Sequence, residues 1–226
     1  MVGNSLTENM KILVCCVLFA SVSTTFSVSQ AFAQEEPRAV WQATSLDINA
    51  NIQQAERTLV ATVVLAAKNV GRGSGSTLTF RISPKAVIKA VTLGSTTLSF
   101  RSSPETRGNL QRIIVTLPSA IAANGDVSLT INYSFPVEIN SGHAAISPIG
   151  SQFLPLSFWY PIPNTPFTIR GADTAPFRLT VSGANTISSG VEKGPGTFEQ
   201  ALNGEPFFVQ GDWDRVEGPA DAPGIV

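Results

Sequence analysis

The chain has 226 residues, 15 basic against 16 acidic side chains, and a net charge of -1. That balance excludes a strong overall electrostatic pull on nucleic acid or on anionic membranes. Both cysteines, Cys15 and Cys16, lie near the start, so the remainder has no thiol for a disulfide, a nucleophile or a zinc site.

Residues 1–33 read as an export signal. Lys11 closes a short polar N-terminal region, residues 12–26 are mostly apolar, and Ala31-Phe32-Ala33 supplies the small-x-small cleavage pattern. Ser21, Ser23, Thr24 and Thr25 interrupt the apolar run, leaving it short of the roughly 20 residues a membrane span needs. No small residue precedes either cysteine, which argues against a lipid anchor. The expectation is an exported protein, periplasmic or secreted, of a bacterial envelope. A polar leader over 34–40 follows, then a domain over 41–215. The Pro/Gly/Ala-rich stretch 216–226 reads as a tail or interdomain linker, which suggests a partial product.

From Trp41 the pattern has period two. Leu46, Ile48, Ala50 and Ile52 alternate with polar residues, and so do Leu59, Ala61, Val63, Leu65 and Ala67. The two runs predict a hairpin turning over residues 53–57. The glycine-rich run 71–75 connects onward. It is no phosphate loop, because neither Gly-Lys-Ser/Thr nor a helix follows. Leu78, Phe80 and Ile82 predict a third strand. Residues 87–93 and 97–100 predict two more, around Gly94-Ser95, and 101–109 reads as a polar loop. Strong strands are expected over 112–117 and 127–135, joined by 118–126 with Asn124-Gly125 as the turn. Residues 177–181, 186–191, 197–202 and 207–210 predict shorter strands. No sustained helical period appears after the signal, so the expected fold is all-β: a multi-sheet or β-sandwich domain.

One stretch interrupts this rhythm. Residues 150–163 read GSQFLPLSFWYPIP. Pro155, Pro161 and Pro163 lack a backbone donor, which excludes a regular helix or a central strand for the segment. Phe153, Leu154, Leu156, Phe158, Trp159 and Tyr160 are too apolar for a free loop. The expectation is an extended segment held between two β layers, with Gln152 and Tyr160 directed at a surface or cleft. The bland alternative is a connector whose aromatics belong to the core.

Other candidate chemistry is thin. His143, the one histidine, lies near Ser141 and Ser147, yet no Gly-x-Ser-x-Gly elbow is present. Asp212 and Asp214 flank Trp213 at strand spacing without further oxygen ligands, so a solvated strand end is favoured over a calcium site or a carboxylate pair. Arg170 to Asp173 reads as a turn. Asn132-Tyr133-Ser134 matches a glycosylation sequon but sits inside a predicted strand. Trp159, Tyr160 and Trp213 would suit a sugar-stacking platform if exposed, and an exposed apolar patch over residues 153–160 is expected if a partner covers it.

The order of elements resembles a known family. The phrases LDINANIQ, QAERTL, VATVVLAAKN, LTFRI, IIVTLP and LTINYSF follow one another, as in the N-terminal β domain of the aminopeptidase N family of zinc metallopeptidases. Trp159-Tyr160-Pro161 and the run NGEPFFVQGDW at 203–213 are similar to later parts of that domain. The resemblance implies a saddle-shaped set of sheets lying over a zinc-bearing catalytic domain. It also implies that Gln152, in Ser151-Gln152-Phe153, helps hold the N-terminus of a peptide substrate. The sequence departs from the family after this point, where no arginine-bearing run and no Pro-Cys-x-Asp-Glu-Pro follows.

Family catalysis needs His-Glu-x-x-His on a helix, which places two imidazoles on one face and a glutamate beside the zinc-bound water. A single histidine cannot build that pair. The expectation is a non-catalytic domain without a cofactor, zinc being held by an absent catalytic domain. Its partners would be that domain and the peptide N-terminus, with Gln152 binding substrate and Phe153, Trp159 and Tyr160 serving as docking aromatics. Nucleic acid and membrane are not expected partners. The alternative is a stand-alone secreted β-sandwich that binds protein or carbohydrate.

Overall fold

Alternating strands bury one face each, so the fold is decided by which faces meet. The computed structural model describes residues 38–105, 108–163, 174–183 and 185–212, within a unit spanning Pro37–Val226. The export signal, most of the leader, Arg170 to Asp173, Trp213, Asp214 and the tail lie outside the described residues.

The predicted hairpin is β1 (Trp41–Gln53) and β2 (Thr58–Asn69), paired antiparallel along its length. β3 (Gly75–Ile82), β4 (Val87–Leu93), β5 (Thr96–Thr97) and β6 (Phe100–Pro104) follow, then β7 (Gln111–Ile121) and β8 (Asp126–Pro136). After these come β9 (Ala144–Ser147), β10 (Gly150–Phe153), a 3-10 turn over Pro155–Ser157 and β11 (Ile162–Pro163). β12 (Ala175–Ser182), β13 (Thr186–Ser188), β14 (Val191–Gly194), β15 (Thr197–Gly204) and β16 (Phe208–Gly211) complete the described chain.

These strands form three sheets. The largest runs β14-β15-β12-β1-β2-β8-β4-β5, and two four-stranded sheets run β13-β16-β10-β9 and β11-β3-β7-β6. All pairings are antiparallel except β1 with β12, where Leu46 lies opposite Phe177 and Ala50 opposite Val181. One continuous core draws on all three sheets, including Leu46, Leu65, Leu78, Ile113, Phe153 and Phe208. The all-β, multi-sheet expectation is met. The large sheet ends in blunted edges: β5 has two residues, and β14 carries Lys193 and a bulge between Glu192 and Gly194.

Several expected boundaries move. The strand expected over 97–100 is split, because Leu98 turns its amide to the Val91 carbonyl while the Ser99 carbonyl accepts from Thr116 in β7. The chain thereby changes sheets at this point, and the polar residues after it extend as β6 instead of looping. β7 runs on through Pro118 to Ile121, shortening the expected link. The run 186–191 becomes β13 and β14 in different sheets, separated by Gly190 at φ +95. At that glycine a Cβ would meet the Glu199 carbonyl at 2.7 Å, so the bend requires glycine.

The end of β2 is organised by Asn69, which is fully buried. Its Oδ1 accepts from the amides of Val40 and Gly71, both at 3.1 Å. Its Nδ2 donates to the carbonyls of Gly73 (2.8 Å), Ile121 (3.2 Å) and Ala122 (3.1 Å). One side chain thus joins the chain entering β1, the glycine-rich connection and the β7–β8 turn.

Candidate functional site: the sheet face around Gln152

The stretch 150–163 divides into unlike parts. Its first four residues form β10, an interior strand between β16 and β9. That corrects the exclusion of a central strand, because the prolines begin only after Phe153 and remove no donor from the ladder. Pro155 then opens the 3-10 turn, which ends on Phe158 with φ 52 and ψ 43. This left-handed conformation is rare for a bulky side chain. It reverses the chain, and the Phe158 carbonyl is held by the Ser83 amide at 2.9 Å. Trp159 follows directly and enters the core.

The inner face of β10 is aromatic. Phe153 stacks on Phe208 at 5.3 Å and meets Phe135 edge-on at 5.6 Å. Trp159 packs edge-on against Phe208 at 5.3 Å and against Tyr160 at 5.4 Å. Its Nε1 donates to the Pro206 carbonyl at 3.2 Å. Phe153 and Trp159 are 0% exposed and Tyr160 is 4% exposed. The expected exposed patch, the sugar platform built on Trp159 and Tyr160, and the outward Tyr160 tip are therefore corrected. These aromatics satisfy one another and form the joint between two sheets, so Phe153, Trp159 and Tyr160 display no ring for docking. Leu156 alone of the larger apolar residues in this segment is well exposed.

The Tyr133 hydroxyl donates to the Trp159 carbonyl at 2.7 Å inside this joint. Burial, with Tyr160 nearby as a lesser cause, pushes the Tyr133 phenol well above its ordinary value. The unfolded chain releases this proton near pH 10 while the folded chain keeps it. Stability is therefore complete below about pH 10 and falls as pH rises further, by about 1.4 kcal/mol per unit. Urea unfolding between pH 9 and 11 checks this. Tyr133→Phe should remove most of the slope, and an unchanged slope would refute the assignment.

The outer face of β10 carries Gln152. Cross-strand register places Ile187, Val209, Gln152 and Ala145 in one row across β13, β16, β10 and β9. All four are half-buried. Gln152 Nε2 donates to the Gly142 carbonyl at 3.0 Å, which sets the amide plane and leaves Oε1 as an acceptor on an otherwise apolar row. The larger groove nearby, about 810 Å³, is lined by Asn51, Gln54, Ser151, Asn185, Gln210 and Asp212, and Gln152 lies outside it. Within the described residues Gln152 therefore sits on an open face. Because this hydrogen bond is exposed, Gln152→Ala should change stability by less than about 0.5 kcal/mol. A larger drop in the thermal midpoint than this implies would mean Gln152 is structural.

His143 is exposed in the loop before β9. Its carbonyl accepts from Leu154 at 2.8 Å. Ser141 Oγ donates to Ala144 O at 3.2 Å and Ser147 Oγ to Gly150 O at 2.9 Å, so neither of these two hydroxyls donates to the imidazole. Among the described residues no three of His, Cys, Asp or Glu come together. With one histidine in the whole chain, the residues present do not fit the helical zinc site of the resembled family. The row beside Gln152 was invisible in the sequence, because cross-strand neighbours follow from register alone.

By fold, the chain is an all-β multi-sheet domain of the kind built into M1 zinc metallopeptidases, at identities where the likeness is one of fold. An M1 zinc metallopeptidase variant from Deinococcus radiodurans, bound to a Tyr-Ser-Ala substrate, matches with a TM-score of 0.57 at 18% identity. That match covers 80% of this chain and 44% of that one. A two-domain M1 zinc metallopeptidase variant bound to L-tryptophan gives 0.56 at 18% identity, covering 81% and 45%. Leukotriene A4 hydrolase from Saccharomyces cerevisiae gives 0.57 at 16% identity, covering 76% and 29%. The chain thus spans less than half the length of each of these enzymes. No protein-family model matches the sequence, and no curated protein matches it.

Proposed function

We propose that this chain is the non-catalytic N-terminal β domain of an exported, aminopeptidase-N-like zinc metallopeptidase. It docks on a catalytic domain, which carries the zinc, through the outer face of the β13-β16-β10-β9 sheet. There Gln152 offers its Oε1 to the ammonium group at the N-terminus of a peptide. The carrying observation is the row of Ile187, Val209, Gln152 and Ala145: half-buried apolar side chains around one oriented amide. An ammonium group presents three donors and needs acceptors, and a neutral amide oxygen supplies one without a full ion pair. A second body over the face would turn this open surface into one wall of a cleft.

The intact mass of the native product tests this reading. A mass far above 23.9 kDa, with a His-Glu-x-x-His segment in the additional chain, is expected. In that enzyme Gln152→Ala should raise KM for peptides by about tenfold, the scale of one hydrogen bond to a charged group. A native product no larger than this chain would sink the proposal and leave the stand-alone binding module.

A further inference from the structure

The near-neutral total charge hides a local concentration of arginine on the third sheet, β11-β3-β7-β6. Register places Arg81 in β3 opposite Arg112 in β7, and Arg112 opposite Ser103 in β6. Arg101, two residues before Ser103, lies opposite Ile114 on the same face. The other face of β3 and β7 carries Leu78, Phe80, Ile113 and Val115, all in the core, so the arginines point away from it. None of the four strands contains an acidic residue. Like charges directly opposite on neighbouring strands destabilise a sheet.

Some polar atoms here are unsatisfied. Arg112 Nε and Ser103 Oγ are buried and have no hydrogen-bond partner, and the same holds for Oε2 of Glu105, just past β6. Arg81 is already engaged in an interaction of its own, so the spare donors are those of Arg112 and Ser103. A buried polar group without a partner is costly, and here two face one another across a strand pair beside a second guanidinium.

We propose that this face is an oxyanion-binding site whose ligand is a phosphate group, free or carried as an ester. The Arg112 guanidinium, with that of Arg101 diagonally across the same face, matches the near-double negative charge of a phosphate, which a single carboxylate would not. The serine hydroxyl adds a donor from a third direction, which suits a tetrahedral anion. Arg112 rearranges to bring its fork onto the ligand, and Arg101 adds charge at the rim.

Calorimetric titration of inorganic phosphate into the full chain at low ionic strength tests the site. Millimolar or tighter binding is expected, weakened at least tenfold in Arg112→Gln and less in Arg112→Lys, which keeps the charge but loses the fork. Arg178→Gln, on the large sheet, should bind as the unaltered chain does. Should Arg112→Gln fail to fold, arginine modification by phenylglyoxal in the unaltered chain replaces it, with phosphate expected to protect Arg112. Sedimentation with phosphatidylglycerol vesicles, reversed by free phosphate, would assign the ligand to a lipid headgroup; no sedimentation alongside phosphate binding would assign it to a soluble phosphate. Undiminished binding in Arg112→Gln, absence of both phosphate and vesicle binding, or binding of polyglutamate without phosphate would overturn the proposal. None of these outcomes depends on the docking role of Gln152.

Discussion

Asn69→Leu should cost on the order of 4 kcal/mol or more, close to the whole stability of an ordinary domain. Five hydrogen bonds converge on this fully buried amide. Leucine keeps the branching and the heavy-atom count of asparagine but none of its polar atoms, so every one of these bonds is lost while the side chain grows only modestly. Two amides and three carbonyls in part-buried bonds would lose this partner, and each group left unsatisfied away from water costs about 1–3 kcal/mol. Asn69→Asp gives a sharper comparison. It keeps the two acceptor contacts but turns a carboxylate oxygen toward three carbonyls, so its deficit should ease as low pH protonates it. Urea unfolding at pH 4 and pH 7 measures both variants. A loss below about 1.5 kcal/mol for leucine would show that water replaces the network.

Trp159→Ala is the second large effect, at about 3–5 kcal/mol. The ring is 0% exposed, contacts Phe153, Tyr160 and Phe208, and donates to the Pro206 carbonyl. Its removal opens a cavity where two sheets meet and strands a buried carbonyl. The variant should also lose near-ultraviolet circular dichroism from the aromatic cluster. If it unfolded at the same urea concentration as the unaltered chain, the aromatic joint would not hold the sheets together. Such a result would return Trp159 to the candidates for a binding platform.

These two residues differ in how far they can be read from the chain. An aromatic, proline-rich segment announces that something unusual happens at 150–163, and the core alternative for its rings is the one the structure adopts. Asn69 announces nothing. A lone asparagine after a strand looks like a turn residue, and its five partners come from positions up to 53 residues away. Gln152 lies between these cases. Its phrase marks it as a candidate, but its neighbours Ile187 and Val209 enter only through the register of β10 with β16 and of β16 with β13. The arginine face is hidden for the same reason: Arg81, Arg112 and Ser103 are scattered in sequence and adjacent only across strands.

The sequence by itself determined the all-β class, the β1–β2 hairpin, the strong strands β7 and β8 and the inward face of each. Alternation of apolar and polar side chains is a local property, and a strand with a period of two has only one face to bury. Tertiary structure alone decided that β12 lies parallel beside β1, that the chain changes sheets between Thr97 and Phe100, and that Trp159 and Tyr160 turn inward. Each of these depends on contacts between residues far apart in the chain. Their burial free energy outweighs local preference, including the left-handed conformation at Phe158 that admits the tryptophan to the core.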